Sequence, residues 1–226
     1  MSTSSAAKIQ PFFSLDAGAW WAYTGHSQAI NLFDNLGNTY LGNKQWKNNG
    51  TMILGVGLRT MSQAALQMNT SLRFLPMIGM SLSGEVQQLN SPQFQNLAYH
   101  YDVHSTLLLI DHIVTWKKHR LQPGLIAGIG AASNKTGQFI ETPLNNYSAS
   151  SEEHFHNGQR THWAYELGAV LDYTFAGVVF ECAYRFVDAG QGQLGLSPSQ
   201  NTLEHLSTGA LQYQTLSLGV RFYHAL

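Results

Sequence analysis

Nine charged residues sit at alternating positions of strand-like segments and are the first candidates for chemistry: Asp16, Arg59, Glu85, Asp102, Glu166, Asp172, Glu181, Arg185 and Arg221. All nine are expected to face the inside of the fold. A charge buried there persists only if it is paired or solvated. The set can therefore lock strand register through ion pairs, or gate a narrow polar passage. Counted from the short connections, Glu166 and Arg185 stand at similar heights on adjacent strands. Arg221 lies between the strands that carry Glu181 and Asp16, and Arg59 neighbours Asp16.

Other reactive side chains point to less. His100, Asp102 and His104 share one strand face because they are spaced by two. Ligands ~7 Å apart along one strand do not converge on an ion, so the column reads as the solvated mouth of the interior. His154 and His156 fall in a Ser- and Glu-rich loop and read as exposed. A lipid hydrolase would need a serine, a histidine and a carboxylate that meet. His104 and Ser105 are the nearest pair, but alternation sends the first inward and the second outward. No GxSxG elbow and no GxxxxGK loop is present. Cys182, the single cysteine, excludes an internal disulfide and a multi-cysteine metal site. It reads as a small apolar residue on the outer face. No catalytic residue, metal or cofactor is expected.

The elements that position these residues follow a period of two. Residues 12–24, 51–60, 76–87, 98–109, 121–133, 162–173, 178–187 and 213–223 each alternate, which gives eight strands. Each is near the ~9–11 residues that cross a bilayer when tilted. In the last, Leu216, Leu218, Val220 and Phe222 oppose Arg221. In the middle pair, Ile78, Met80, Leu82 and Val86, and then Tyr99, Tyr101, Val103, Leu107 and Leu109, are assigned to the outer face. Long polar connections cover 25–50, 134–161 and 188–210, with a shorter one at 88–97. Tight links fall at 115–120 and 174–177, and 61–74 is either a short helix or a strand extension. Long connections at one end and short turns at the other describe an up-and-down meander. No domain linker, heptad or long-period repeat is visible.

Composition decides which face is outside. Charged residues are 11% of 226, against roughly 25% for an average soluble domain. With 44% apolar residues and a net charge of -1, the chain is neither disordered nor built to bind nucleic acid. No apolar run is long enough for a transmembrane helix. The apolar strand faces are unbroken, whereas the opposite faces are mostly Gly, Ala, Ser and Thr. A water-facing surface is rarely so poor in charge, and a narrow lumen needs small residues. Aromatics near strand ends, such as Trp20, Trp21, Tyr99, Trp163 and Tyr223, suit interfacial girdles. The fold expected is all-β, an eight-stranded antiparallel transmembrane barrel over 11–226 after a disordered segment 1–10. That segment lacks the apolar core of a secretory signal. It reads as a short disordered start or as the beginning of a mature chain. A soluble lipocalin-like barrel is the alternative.

Three segments resemble one family. Pro123–Ala132 is similar to a "PYxxxGxGxA" strand, Tyr184–Gly190 to "YRYxDxG", and Leu216–Phe222 to a closing "LxxGxxxxF". Together they resemble the small bacterial outer-membrane β-barrel superfamily, which includes the OmpA-type transmembrane domain. The chain departs from that family's aromatic ending, because His224, Ala225 and Leu226 follow Phe222 and Tyr223. The resemblance implies the outer membrane of a Gram-negative bacterium, with long loops extracellular. Implied partners are the bilayer, lipopolysaccharide and a host or surface ligand at the loops, with the chain a monomer. The expected role is structural or adhesin-like through 25–50, 134–161 and 188–210, and a narrow channel or small-solute transporter is the runner-up. Inward Phe12, Trp20, Met77, Leu108, Ile110, Ile126 and Tyr223 are expected to fill the lumen. A bulge at Leu108 and Ile110 would instead turn those two to lipid. Trp46, Phe139, Tyr147 and Phe155 are expected as exposed loop aromatics, each of which could equally pack within its own loop.

Overall fold

The computed structural model describes residues 8–31, 36–61, 65–117, 120–144, 154–197 and 204–224. Ten strands among them form one antiparallel sheet: β1 (Lys8–Tyr23), β2 (Gln28–Asn31), β3 (Gly37–Gly42), β4 (Trp46–Met61), β5 (Leu66–Gln87), β6 (Gln95–Trp116), β7 (Leu121–Pro143), β8 (Gly158–Phe175), β9 (Val178–Gln193) and β10 (Ser207–Tyr223). Eight of them close into a ring: β1 pairs with both β4 and β10, and β5 pairs with β6. The hairpin β2–β3 stands outside the ring and adds to the far end of β5. The protein is an eight-stranded up-and-down β-barrel.

The first and last described residues, Lys8 and His224, and the strand ends at Met61, Leu66, Trp116 and Leu121 lie at the same end as the β8–β9 turn, called lower here. The β8–β9 link is a two-residue turn in which Ala176 and Gly177 take φ of 50° and 81°. Positive φ at both central residues is the twist a tight hairpin needs. The segment 61–74 contains no helix in its described part, since β5 already begins at Leu66. The polar stretch 25–50 is not simply loop, because it holds β2, β3 and the start of β4. Likewise β7 runs on to Pro143 and β9 to Gln193. β1 starts at Lys8, so residues 8–10 of the segment read as disordered are strand.

Strands β5, β6 and β7 are 22, 22 and 23 residues long, well beyond a bilayer crossing. Apart from bulges, side chains along each strand alternate between inside and outside, but the chemistry of the two faces exchanges partway up. On lower β6, Leu108 and Ile110 are exposed outside while Asp111 and Thr115 are buried inside. On upper β6, His100, Asp102, His104 and Thr106 are outside. There Leu97, Tyr99, Tyr101, Val103 and Leu107 are buried inside. β10 repeats the exchange. Leu216, Leu218 and Phe222 are outside and Thr215, Ser217 and Arg221 inside below; Gln212 and Gln214 are outside and Leu211 and Tyr213 inside above.

This exchange corrects the side assigned to two strands. Ile78, Met80, Leu82 and Val86 of β5, and Tyr99, Tyr101, Val103, Leu107 and Leu109 of β6, point inward and form the upper core. Leu108 and Ile110 point outward without any bulge on β6. On β5 a bulge at Pro76–Met77 sets three residues against two of β6, between Leu75↔Leu107 and Ile78↔Ser105. Pro76 has no ladder donor to lose there. The bulge moves the inward set from odd positions (Ser71, Arg73, Leu75) to even ones (Ile78, Met80, Leu82).

Candidate functional site

The lower interior is built from charge. Arg73 Nη2 donates to Asp16 Oδ2 at 2.6 Å, and its Nε lies 3.4 Å from Asp111. Arg185 Nη2 donates to Glu181 Oε1 at 2.5 Å and Nη1 to Ser217 Oγ at 2.9 Å; its Nε is 3.6 Å from Glu166. Arg221 donates to Asp172 Oδ2 at 3.0 Å and also to Glu181. Three guanidinium groups thus serve five carboxylates, and together these eight side chains come from six of the eight ring strands. All eight side chains are almost fully buried. Guanidinium suits this role because its fixed fork can engage two carboxylates at once.

Space for these side chains comes from glycine on the neighbouring strand. Gly128 of β7 lies opposite Asp111 on one side and Glu166 on the other. A β-carbon there would meet an Asp111 oxygen and stand 2.9 Å from Glu166 Cγ. Gly219 plays the same part beside Asp16.

Seven of the nine charges assigned to the interior face it. Glu166, Asp172, Glu181, Arg185 and Arg221 join one ion-paired group, and Asp16 belongs to a second with Arg73 and Asp111. Arg59 is separate, at the lower rim, donating to Gln67 and lying over the Tyr223 ring at 4.5 Å. It does not meet Asp16, whose partner is Arg73. Glu85 and Asp102 are corrections: both lie on upper strands, where the outer face is the polar one, and both side chains point away from the interior. Glu85 accepts from Gln95. Arg73 and Asp111 are interior charges that the sequence reading missed. Arg73 fell in the ambiguous 61–74 link, and Asp111 lay beyond the strand end read at Leu109. The signal that finds both is a lone charge inside an otherwise apolar, charge-poor stretch: Arg73 between Leu72 and Phe74, and Asp111 after the run Leu107–Ile110.

Between the halves lies a polar layer. Ser105 Oγ donates to Asn134 Oδ1 at 2.6 Å and shares a hydrogen bond with Tyr213 OH at 2.9 Å. Asn134 Nδ2 donates to Ala189 O at 2.7 Å. Ser105 is therefore inside and His104 outside, the reverse of their assigned directions, and the two still diverge.

The upper interior is apolar and aromatic. Tyr40, Tyr99, Tyr101, Phe139 and Phe155 pack with ring centroids 5.0–6.4 Å apart, and Tyr40 OH donates to Glu141 at 3.0 Å. Phe155 is buried and Phe139 packs against the same core, so neither is the exposed loop aromatic expected. Trp46 is exposed, in ring contact with Tyr23. Tyr147 lies outside the described residues, as does the Met77 side chain. Phe12, Trp20 and Ile126 are buried inside. Burial pushes the Tyr99 phenol up to about 12 and raises Tyr101 further.

On the outer surface at the level of exchange, aromatic side chains hold polar tips toward the upper half. Trp21 Nε1 and Tyr184 OH both donate to Gln214 at 2.9 Å, and Tyr165 OH donates to Asp188 at 3.1 Å. Trp163, 80% exposed, joins them. Amphipathic rings favour the boundary between apolar and aqueous surroundings.

Fold and interior together define a closed, filled β-barrel whose lower wall is apolar outside and charged inside. No protein-family model matches the chain, and no curated protein matches it in sequence. Among solved structures it is similar to OprG, an outer membrane protein from Pseudomonas aeruginosa, at 15% identity and a TM-score of 0.46, covering 95% of this chain and 96% of that chain. It is also similar to Neisserial surface protein A at 10% identity and 0.45, covering 96% and 99%. The outer membrane protease OmpT of Escherichia coli is a third, at 9% identity and 0.45, covering 99% of both.

Proposed function

We propose that the protein is an outer-membrane β-barrel of a Gram-negative bacterium whose lumen is closed and whose role is surface interaction or anchoring through its upper, extracellular half. The observation that carries this reading is the exchange of polarity at one level on both faces of the wall. Lipid around the lower half accounts for apolar residues outside and ion pairs inside; water around the upper half accounts for the opposite order. A soluble ligand-binding barrel would keep its apolar face inward throughout. The salt-bridge network acts as a plug that fixes register, and the upper core stacks a second, apolar plug above it. The upper half is then a rigid platform, with residues 154–157, 194–197 and 204–206 at its rim.

Two measurements test this. In planar bilayers the intact protein is expected to pass no current above background; a steady, ion-selective current would replace the closed barrel with a channel. Shortening loop 144–157 on cells is expected to reduce surface adhesion while the barrel stays folded. Unchanged adhesion would remove that loop from the role.

A further inference from the structure

The His100–Asp102–His104 column lies on the outer face of upper β6, away from the lumen. On upper β7 an extra residue is inserted opposite β6, between His100↔Ile140 and Asp102↔Gly137. Gln138 there takes a φ of 56°. The bulge turns Phe139 into the aromatic core and leaves a dent of about 460 Å³ on the outside of the wall. Asp102, His104, Lys135, Gln138, Asn157 and Gln159 line it. Bulges commonly re-aim side chains beside binding sites, and the volume is in the range of small-ligand clefts.

From this cleft we infer a binding site for an acidic saccharide, a sugar bearing phosphate or carboxylate. The inference rests on the membrane reading only for where such a sugar would come from. Most small-ligand clefts are lined by apolar and aromatic side chains, but the six residues that shape this one are a carboxylate, an imidazole, an ammonium and three amides. Among the described residues, no Phe, Tyr, Trp or branched aliphatic side chain lines it. Adjacent sugar hydroxyls find partners there, because carboxylates accept and amides both donate and accept. Asp102, His104 and Lys135 enter no ion pair or hydrogen bond among the described residues, although they share one cleft. They are free to engage a ligand, and Lys135 supplies the charge that favours an anionic group.

Position suggests one source. Trp163 of the aromatic boundary pairs in register with Ala131, and Lys135 stands four residues farther up the same strand, roughly 13 Å at strand rise. Phosphorylated sugar headgroups of a glycolipid would lie at that level. A soluble acidic glycan presents the same chemistry.

The test uses the full chain in detergent, with circular dichroism to verify the fold of each variant, and glucosamine phosphate, glucosamine, inorganic phosphate and lipid A in mixed micelles as probes. Lys135→Gln is expected to weaken glucosamine phosphate about tenfold, the scale of one charged hydrogen bond, and to leave glucosamine unaffected. Asp102→Asn is expected to weaken both sugars. That pattern with the free sugar supports the site and a soluble source. The same pattern only with lipid A supports the site and a headgroup source. Equal affinity in both variants, no saturable binding of any probe, or inorganic phosphate binding as well as the sugar phosphate overturns the proposal. A chain that stays soluble without detergent but still binds the free sugar would sink the membrane reading and spare the cleft.

Discussion

Below Leu107 the barrel is an inverted protein, with ion pairs within and Leu, Val, Ile and Phe outside. From Leu107 upward the same strands build an ordinary one, with Leu107, Val103, Tyr101 and Tyr99 inside and His104, Asp102 and His100 outside. β6 itself continues as one strand through the boundary, with the irregularity carried by the β5 bulge opposite it. One secondary structure therefore serves two solvents, and only the side-chain alphabet changes. The lower half is held by geometry, since a buried charge is costly unless its partners are in place. The upper half is held by apolar burial and packed aromatic edges.

The largest effect is expected in the lower half. Arg221→Met would leave Asp172 without its cation and Glu181 with Arg185 alone, and is expected to destabilise the barrel by about 3–5 kcal/mol. Reversible unfolding in detergent or lipid would measure it. A neutral result would mean the lower interior is wet. In the upper half, Leu107→Ala is expected to cost about 2–5 kcal/mol through loss of burial and the cavity left behind, seen as faster hydrogen exchange in upper β6.

The outer faces separate the halves more directly. Leu218, 67% exposed on lower β10, is expected to cost about 2–4 kcal/mol when changed to Arg in a bilayer. Thr106→Arg, on the upper outer face, is expected to stay within about 0.5 kcal/mol. Equal costs at the two sites would erase the distinction.

Alkaline pH should act on the upper half, with a smaller effect. Burial raises Tyr99 from its ordinary 10.0 to about 12. The folded state therefore holds its proton where the unfolded chain has lost it. Stability from this group is complete below pH 10 and is lost as pH rises toward about 12. Tyrosinate absorbance should show Tyr99 ionising after the exposed tyrosines, and hydrogen exchange should quicken in upper β6 across that window.

What the sequence revealed depended on which solvent bathed each strand. β8, β9 and β10 carry most of their alternation in the lower half, so the rule that apolar residues face lipid read Leu216, Leu218 and Phe222 on the outside and Arg185 and Arg221 on the inside. On upper β5 and β6 that rule reverses, which is why Glu85 and Asp102 were placed inside and Leu107 and Tyr101 outside. The same reversal hid strand length. Polar Asn, Gln and Ser in 25–50 and 134–161 mark a water-facing strand surface as readily as a loop. Pairing was the least legible feature: Arg73 reaches Asp16 over the intervening strand β4, beside Gly55, a contact between second-neighbour strands that no local spacing reveals.

Cys182, alone in the chain and exposed on the lower outer face between Phe180 and Tyr184, allows the central claim to be tested without altering the protein. A nitroxide attached there in reconstituted vesicles is expected to collide freely with dissolved oxygen and to be shielded from a water-soluble nickel chelate. The same label placed by Ser83→Cys in a Cys182→Ala background should behave in reverse. If the Cys182 label met the nickel chelate as readily as the upper one, the lower wall would be in water and the two-solvent account would fail.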